Sequence, residues 1–102
     1  MYISISRLRI PPERAPELVA AFRSRLHGVD RHEGYLGLQV WQSDRDLGEI
    51  VMVSRWRDRD CFKAYMKSDD HRRSHDRIPA ALLDVIKLEQ LEHMHTYEVV
   101  AE

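Results

Sequence analysis

Residues 49–57, EIVMVSRWR, constrain the fold more than any other stretch of the chain. Their period of two predicts a strand, with Ile50, Met52, Ser54 and Trp56 on one face and Val51 and Val53 on the other. A strand with apolar residues on both faces belongs to a sheet whose two sides are both covered. A chain of 102 residues has room for one ordinary core, so helices can cover one side and the other needs a partner.

The remaining segments supply the sheet and its cover. Residues 2–10 alternate, with Tyr2, Ser4, Ser6, Leu8 and Ile10 facing away from Ile3, Ile5, Arg7 and Arg9, and Pro11-Pro12 ends the strand. Residues 13–29 change to helical spacing: Leu18, Phe22, Leu26 and Val29 form the apolar stripe, and Glu17, Arg23 and Arg25 turn outward. Pro16 fits the first turn, and Gly28 and Gly34 bracket the exit. YLGLQVWQ at 35–42 predicts a second strand, and SDRDLG at 43–48 carries hairpin-loop chemistry. Asp58 is the expected N-cap of a helix over 59–67, and Asp69 or Asp70 that of a further turn carrying His71 and His75. Ile78-Pro79 ends that turn; 80–90 reads as either a short helix or an irregular crossing; 91–100 alternates again as a fourth strand.

The order is β-α-β-β-α-β in one domain over residues 1–102, which predicts an α+β, ferredoxin-like antiparallel sheet with both helices on one face. The bare face, apolar in part, marks an interface, and a homodimer with facing sheets is the expectation. Sixteen basic against 17 acidic residues leave a formal charge of −1, which argues against a nucleic-acid partner. No window approaches the length of a membrane span, and MYISISRLRI lacks the features of a signal peptide, so a cytoplasmic protein is expected. The single cysteine, Cys61, has no internal partner and reads as a structural thiol.

Few constellations carry chemistry. No nucleophile elbow, dinucleotide fingerprint or P-loop occurs, and the aspartates at 58, 60, 69 and 70 read as caps. His71 and His75 are spaced to share a helix face; with His93 and His95 they leave a four-histidine metal site open, although nothing local brings the pairs together. The other combination is a histidine on a short helix, an apolar-aromatic face from Phe62, Tyr65 and Met66, and guanidinium groups at Arg72, Arg73 and Arg77. It suits a flat, apolar, iron-bearing ligand with anionic edges, though spacing alone favours plain core packing for Phe62, Tyr65 and Met66 and solvated arginines.

The element order, Gly34 in HEGYLGLQVW, and VSRWRDRDCFKAYMKSDDHRRSH with its F-x-x-Y-x-x-S run resemble the antibiotic biosynthesis monooxygenase (ABM) domain family over essentially the whole chain. The C-terminal half is most similar to the IsdG-type haem-degrading monooxygenases. The resemblance implies a dimeric α+β barrel, haem as both cofactor and substrate, O₂, and an external electron donor. It implies that His75, seven residues beyond Ser68, ligates the iron; on the reading of the apolar-aromatic face and the guanidinium groups above, Phe62, Met66 and Arg72 are then expected to contact the haem. Tyr65 stands at the place of the family's haem-distorting tryptophan, and Ser6, before Arg7-Leu8, at that of its distal asparagine. Two rival expectations keep the fold: a cofactor-independent monooxygenase acting on quinols or polycyclic phenols, and a non-enzymatic dimer that binds haem or another small ligand.

Overall fold

The computed structural model describes residues 1–76 and 95–102, and side chains through Ser74 and from His95 onward. Four strands, β1 (Tyr2–Arg9), β2 (Tyr35–Gln42), β3 (Glu49–Trp56) and β4 (His95–Glu98), form one antiparallel sheet in the order β2-β3-β1-β4. With the helices α1 (Ala15–Arg23), α2 (Arg59–Met66) and α3 (Asp69–Asp76), this is the expected ferredoxin-like α+β fold. The expected ending of the helical turn at Ile78-Pro79, the segment 80–90 and the first part of the expected fourth strand, 91–94, lie outside the described residues. Strand β4 stops at Glu98 because its partner runs out: Glu98 is opposite Tyr2, and the Val99 N–H donates to the Met1 carbonyl at 2.9 Å.

Register puts Tyr2, Ser4, Ser6 and Leu8 beside Trp56, Ser54, Met52 and Ile50 on the face that the helices cover. Two buried clusters form there. At one end of the sheet, Leu8, Ile10 and Ile50 pack with Ala15 and Leu18 of the first helix. At the other, Tyr2, Trp56 and Val29 pack with Cys61 and Phe62 of α2. The opposite face carries Ile3, Ile5 and Val51, partly exposed, with Trp41 and Tyr97 about half exposed.

The first helix is shorter than its apolar spacing predicts. It is preceded by a 3-10 turn at Pro12–Arg14 and ends at Arg23, where the Ser24 hydroxyl donates back to the Ala20 carbonyl at 3.1 Å. Such back-bonding competes with helix propagation, and His27 then takes a left-handed φ of 56°. Leu26 is therefore exposed, and Val29 reaches the core from a separate 3-10 turn, Gly28–Arg31. Arg25 does not face outward as expected; its guanidinium meets Asp30 at 3.2 Å and is largely covered.

Gly34 precedes β2 for a reason that the sequence alone does not disclose. Its φ is +78°, and a Cβ there would come within 2.5 Å of the Cys61 sulfur. Its carbonyl accepts from the Arg57 N–H at 2.7 Å, closing the loop onto the start of α2. A Gly34→Ala variant is expected to lose about 2–4 kcal/mol, the sum of left-handed backbone strain and overpacking against α2. Urea unfolding measures it, and a loss below about 1 kcal/mol would contradict this account.

Candidate functional site

The site is built where β3 passes into α2 and α3. Asp58 caps α2, accepting the Cys61 backbone N–H at 2.9 Å, which is the expected cap. That N–H, and then Arg57, hold the Asp58 carboxyl down at about 2. A carboxyl with a depressed folded pKa stabilises above its unfolded value and stops doing so as pH falls through the folded value. The melting temperature is thus expected to fall between about pH 4 and pH 2, and to fall less in Asp58→Asn. Burial pushes the Cys61 thiol up, against the opposing Arg57 guanidinium 3.1 Å away, so this thiol stays protonated and unreactive at neutral pH.

Between α2 and α3 the chain reverses at Ser68. Its hydroxyl donates to the Tyr65 carbonyl at 2.6 Å and accepts the His71 N–H at 3.2 Å, so Ser68 caps α3. Neither Asp69 nor Asp70 is the cap; both stand inside the first turn. Asp69 pairs with Arg72, and Asp70 turns toward the rest of the molecule.

Tyr65 sits in the middle of this arrangement. Its ring stacks on Trp56 at 5.3 Å and 30°, and lies at steep angles to His71, 75° at 5.3 Å, and His32, 76° at 5.0 Å. Burial raises the phenol pKa, with Ser74 and Arg25 pulling the other way, so at neutral pH Tyr65 carries its proton and is a hydrogen-bond donor. His75 stands one turn beyond His71 on the same helix face, as the spacing predicts; its side chain lies outside the described residues. His93 also lies outside them, and His95 is on β4 opposite Ile5, on the sheet face turned away from the helices.

The other expected site residues are distributed around this centre. Phe62 is buried between Tyr2 and Trp56, at 5.5 and 5.9 Å, and Met66 is half-buried against the same cluster. Ser6 is half-buried on the helix-facing side of β1. Between the two apolar clusters that face carries small hydroxyl side chains: Ser4, Ser6 and Ser54, with Thr96 on β4. Arg72 is exposed and already paired with Asp69. A separate cavity of about 410 Å³ lies beside α1, lined by Phe22, Leu38 and Val40 among others, with Arg23, Arg25 and His27 also lining it; Ser6, Tyr65 and Arg72 are not part of its lining.

Asp70, expected as a cap, is instead bound to His32. They are 38 positions apart, and local spacing gives no signal for their contact at 2.9 Å.

The family model described as antibiotic biosynthesis monooxygenase matches residues 1–77, which takes in the whole Trp56–His75 segment. The chain belongs to the antibiotic biosynthesis monooxygenase family. An ABM relative named haem-degrading monooxygenase, from Halalkalibacterium halodurans, is 30% identical over 88 residues, covering 82% of this chain and 75% of that one. A protein of the same name from Listeria welshimeri is 35% identical over 48 residues; the match takes in 44% of this chain and spans only 40% of that relative. The ABM fold here is similar to that of MhuD, a haem-degrader from Mycobacterium tuberculosis with two haems bound in its active site. The TM-score is 0.78 at 19% identity, covering 100% of this chain and 98% of that one. Among the described residues, no helix is long and apolar enough to cross a membrane.

Proposed function

We propose that the protein binds haem and degrades it as a monooxygenase. The observation that carries the reading is α3: a helix capped by Ser68 that presses His71 on Tyr65 and places His75 one turn further along. An imidazole beside an aromatic cluster and a sheet face that carries hydroxyls suits haem in donor type. Bound haem would supply the iron that reacts with O₂ and the ring that is cleaved, with electrons from an external reductant. The rest falls to side chains of this protein. His75 holds the iron, and Tyr65 and Met66 form the apolar wall. Phe62, closed off by Tyr2 and Trp56, backs that wall and keeps Tyr65 in place. Ser6 offers a hydroxyl from the sheet side, and Arg72 is the guanidinium proposed for a carboxylate edge. Its pair with Asp69 is exposed, and such pairs contribute little.

The bare sheet face supports a homodimer. Trp41 and Tyr97 are half exposed there beside Ile3, Ile5 and Val51, and a second copy packed sheet to sheet removes them from water. Light scattering is expected to give twice the chain mass.

Haemin titration tests the main reading. A saturable, shifted Soret band is expected, followed by its decay with ascorbate and O₂; no shift at all sinks the haem reading. A band that forms and then survives ascorbate favours a haem carrier without turnover. A second reading rests on the cavity beside α1, whose apolar floor and cationic lining suit a quinol or polycyclic phenol oxidised by O₂ without a cofactor. Oxygen uptake with a hydroquinone by metal-free protein favours that reading.

A further inference from the structure

Asp70 meets three side chains, His32, Arg31 and Arg73, and has no part in the function proposed above. Its Oδ2 lies 2.9 Å from His32 Nε2, and both side chains are about three-quarters covered, at 23% and 24% exposure. A carboxylate only accepts, so His32 Nε2 carries the proton and donates to it. Asp70 Oδ1 meets Arg31 at 3.7 Å and Arg73 at 3.6 Å. The same carboxylate closes on the backbone of the Gly28 turn, where a Cβ on Gly28 would lie 3.0 Å from Oδ1. The His32 N–H is the main reason the Asp70 carboxyl is held below the usual carboxylate range, so it stays ionised near neutral pH.

The placement of this pair ties it to Tyr65. His32 gives one nitrogen to Asp70, and its ring packs at a steep angle to the Tyr65 ring, 5.0 Å away. His71, the residue after Asp70, packs at a steep angle to the same ring, 5.3 Å away. Tyr65 is thus in contact with two rings that Asp70 joins, one through a hydrogen bond and one through the chain. The 3-10 turn Gly28–Arg31 leads straight into His32, so the bond fastens α3 to the loop between α1 and β2. A hydrogen bond to a charged group is stronger and more directional than a neutral one, and partial burial limits screening by solvent.

We propose that Asp70 and His32 form a positioning couple that sets where α3 lies against Tyr65 and thereby orients the histidine face of α3 toward its ligand. The couple touches no ligand itself. It acts by fixing the angle and depth of α3, whose first turn Ser68 caps but does not aim. The part that concerns haem rests on the function proposed above; the part that concerns Tyr65 does not.

The test uses the full chain with ¹³C-labelled tyrosine rings, haem-free, with the Tyr65 signal assigned by Tyr65→Phe. The rings of His32, His71 and Trp56 shift that signal, so it reports their placement. Asp70→Asn and His32→Gln are each expected to move it, and the double variant to move it no further than the larger single change. Asp70→Glu, which keeps the charge, is expected to recover part of the shift, and the Tyr2 and Tyr35 signals stay in place. Haemin titration of the same variants is expected to show affinity weakened about tenfold. An unchanged Tyr65 signal in both single variants overturns the couple, as do single effects that simply add. A moved Tyr65 signal with unaltered haem affinity overturns the claim that the couple orients the ligand face. If the parent chain gives no Soret shift, the haem reading falls, and the Tyr65 signals still decide for or against the couple.

Discussion

Trp56→Ala is expected to destabilise the fold by about 3–5 kcal/mol, the usual cost of emptying a large aromatic site in a core. Against a total of roughly 5–15 kcal/mol for a domain, that is a large share. Trp56 is 1% exposed and is the contact common to the aromatic cluster. Its ring meets Tyr35 at 5.6 Å, Phe62 at 5.9 Å and Tyr65 at 5.3 Å. Its Nε1–H donates to the Ser54 hydroxyl at 3.0 Å. Removing the indole opens a cavity under both β2 and α2, and neither can collapse into it without leaving the sheet. The melting temperature should drop by roughly 15–30 °C, and Trp56→Phe, which keeps most of the apolar area, by clearly less. A fall of only a few degrees in Trp56→Ala would show that the cluster is not the anchor described here.

The second large effect concerns binding. His75→Ala is expected to abolish the Soret shift on haemin titration, with an affinity loss of at least about a hundredfold, because outer partners of a ligand alone cost 10–100-fold. Helix α3 runs through His75 to Asp76, one turn beyond the His71 that packs on Tyr65. His71→Ala is the control. It removes the ring packed on Tyr65 and leaves His75 in the chain, so the band should persist. A His75→Ala variant that titrates like the parent protein moves the iron ligand elsewhere and removes the main reason for reading α3 as the binding helix.

Much of the fold was legible because it rests on periods and caps that act within a few residues. The alternation in 2–10, 35–42 and 49–57 gave three strands to within a residue or so. The Asp58 cap was visible because an N-cap needs only a short polar side chain just before the helix. The end of α1 was not visible. Leu26 kept the apolar spacing, but Ser24 bonding back to Ala20 and the left-handed His27 stop the helix first. The cap of α3 was misassigned for a related reason. Ser68, Asp69 and Asp70 all have capping side chains, and only the position of the His71 N–H selects Ser68.

The candidate site divides in the same way. His71, His75 and Tyr65 could be singled out from helical spacing and from the run F-x-x-Y-x-x-S, because both are local. The role of Gly34 depended on where α2 lands, since nothing near Gly34 in sequence predicts a sulfur within 2.5 Å of its missing Cβ. The bond between His32 and Asp70 depended on it too, as it joins a loop to a helix across 38 positions. By itself the sequence determined the strands, the order of elements, the need to cover two sheet faces and the histidine pair. Those follow from backbone geometry repeated at periods of two and of three to four residues. Only the tertiary structure decided that Asp70 meets His32, and which rings pack against Tyr65. Those are settled by distances between chain segments, which depend on how the whole core packs.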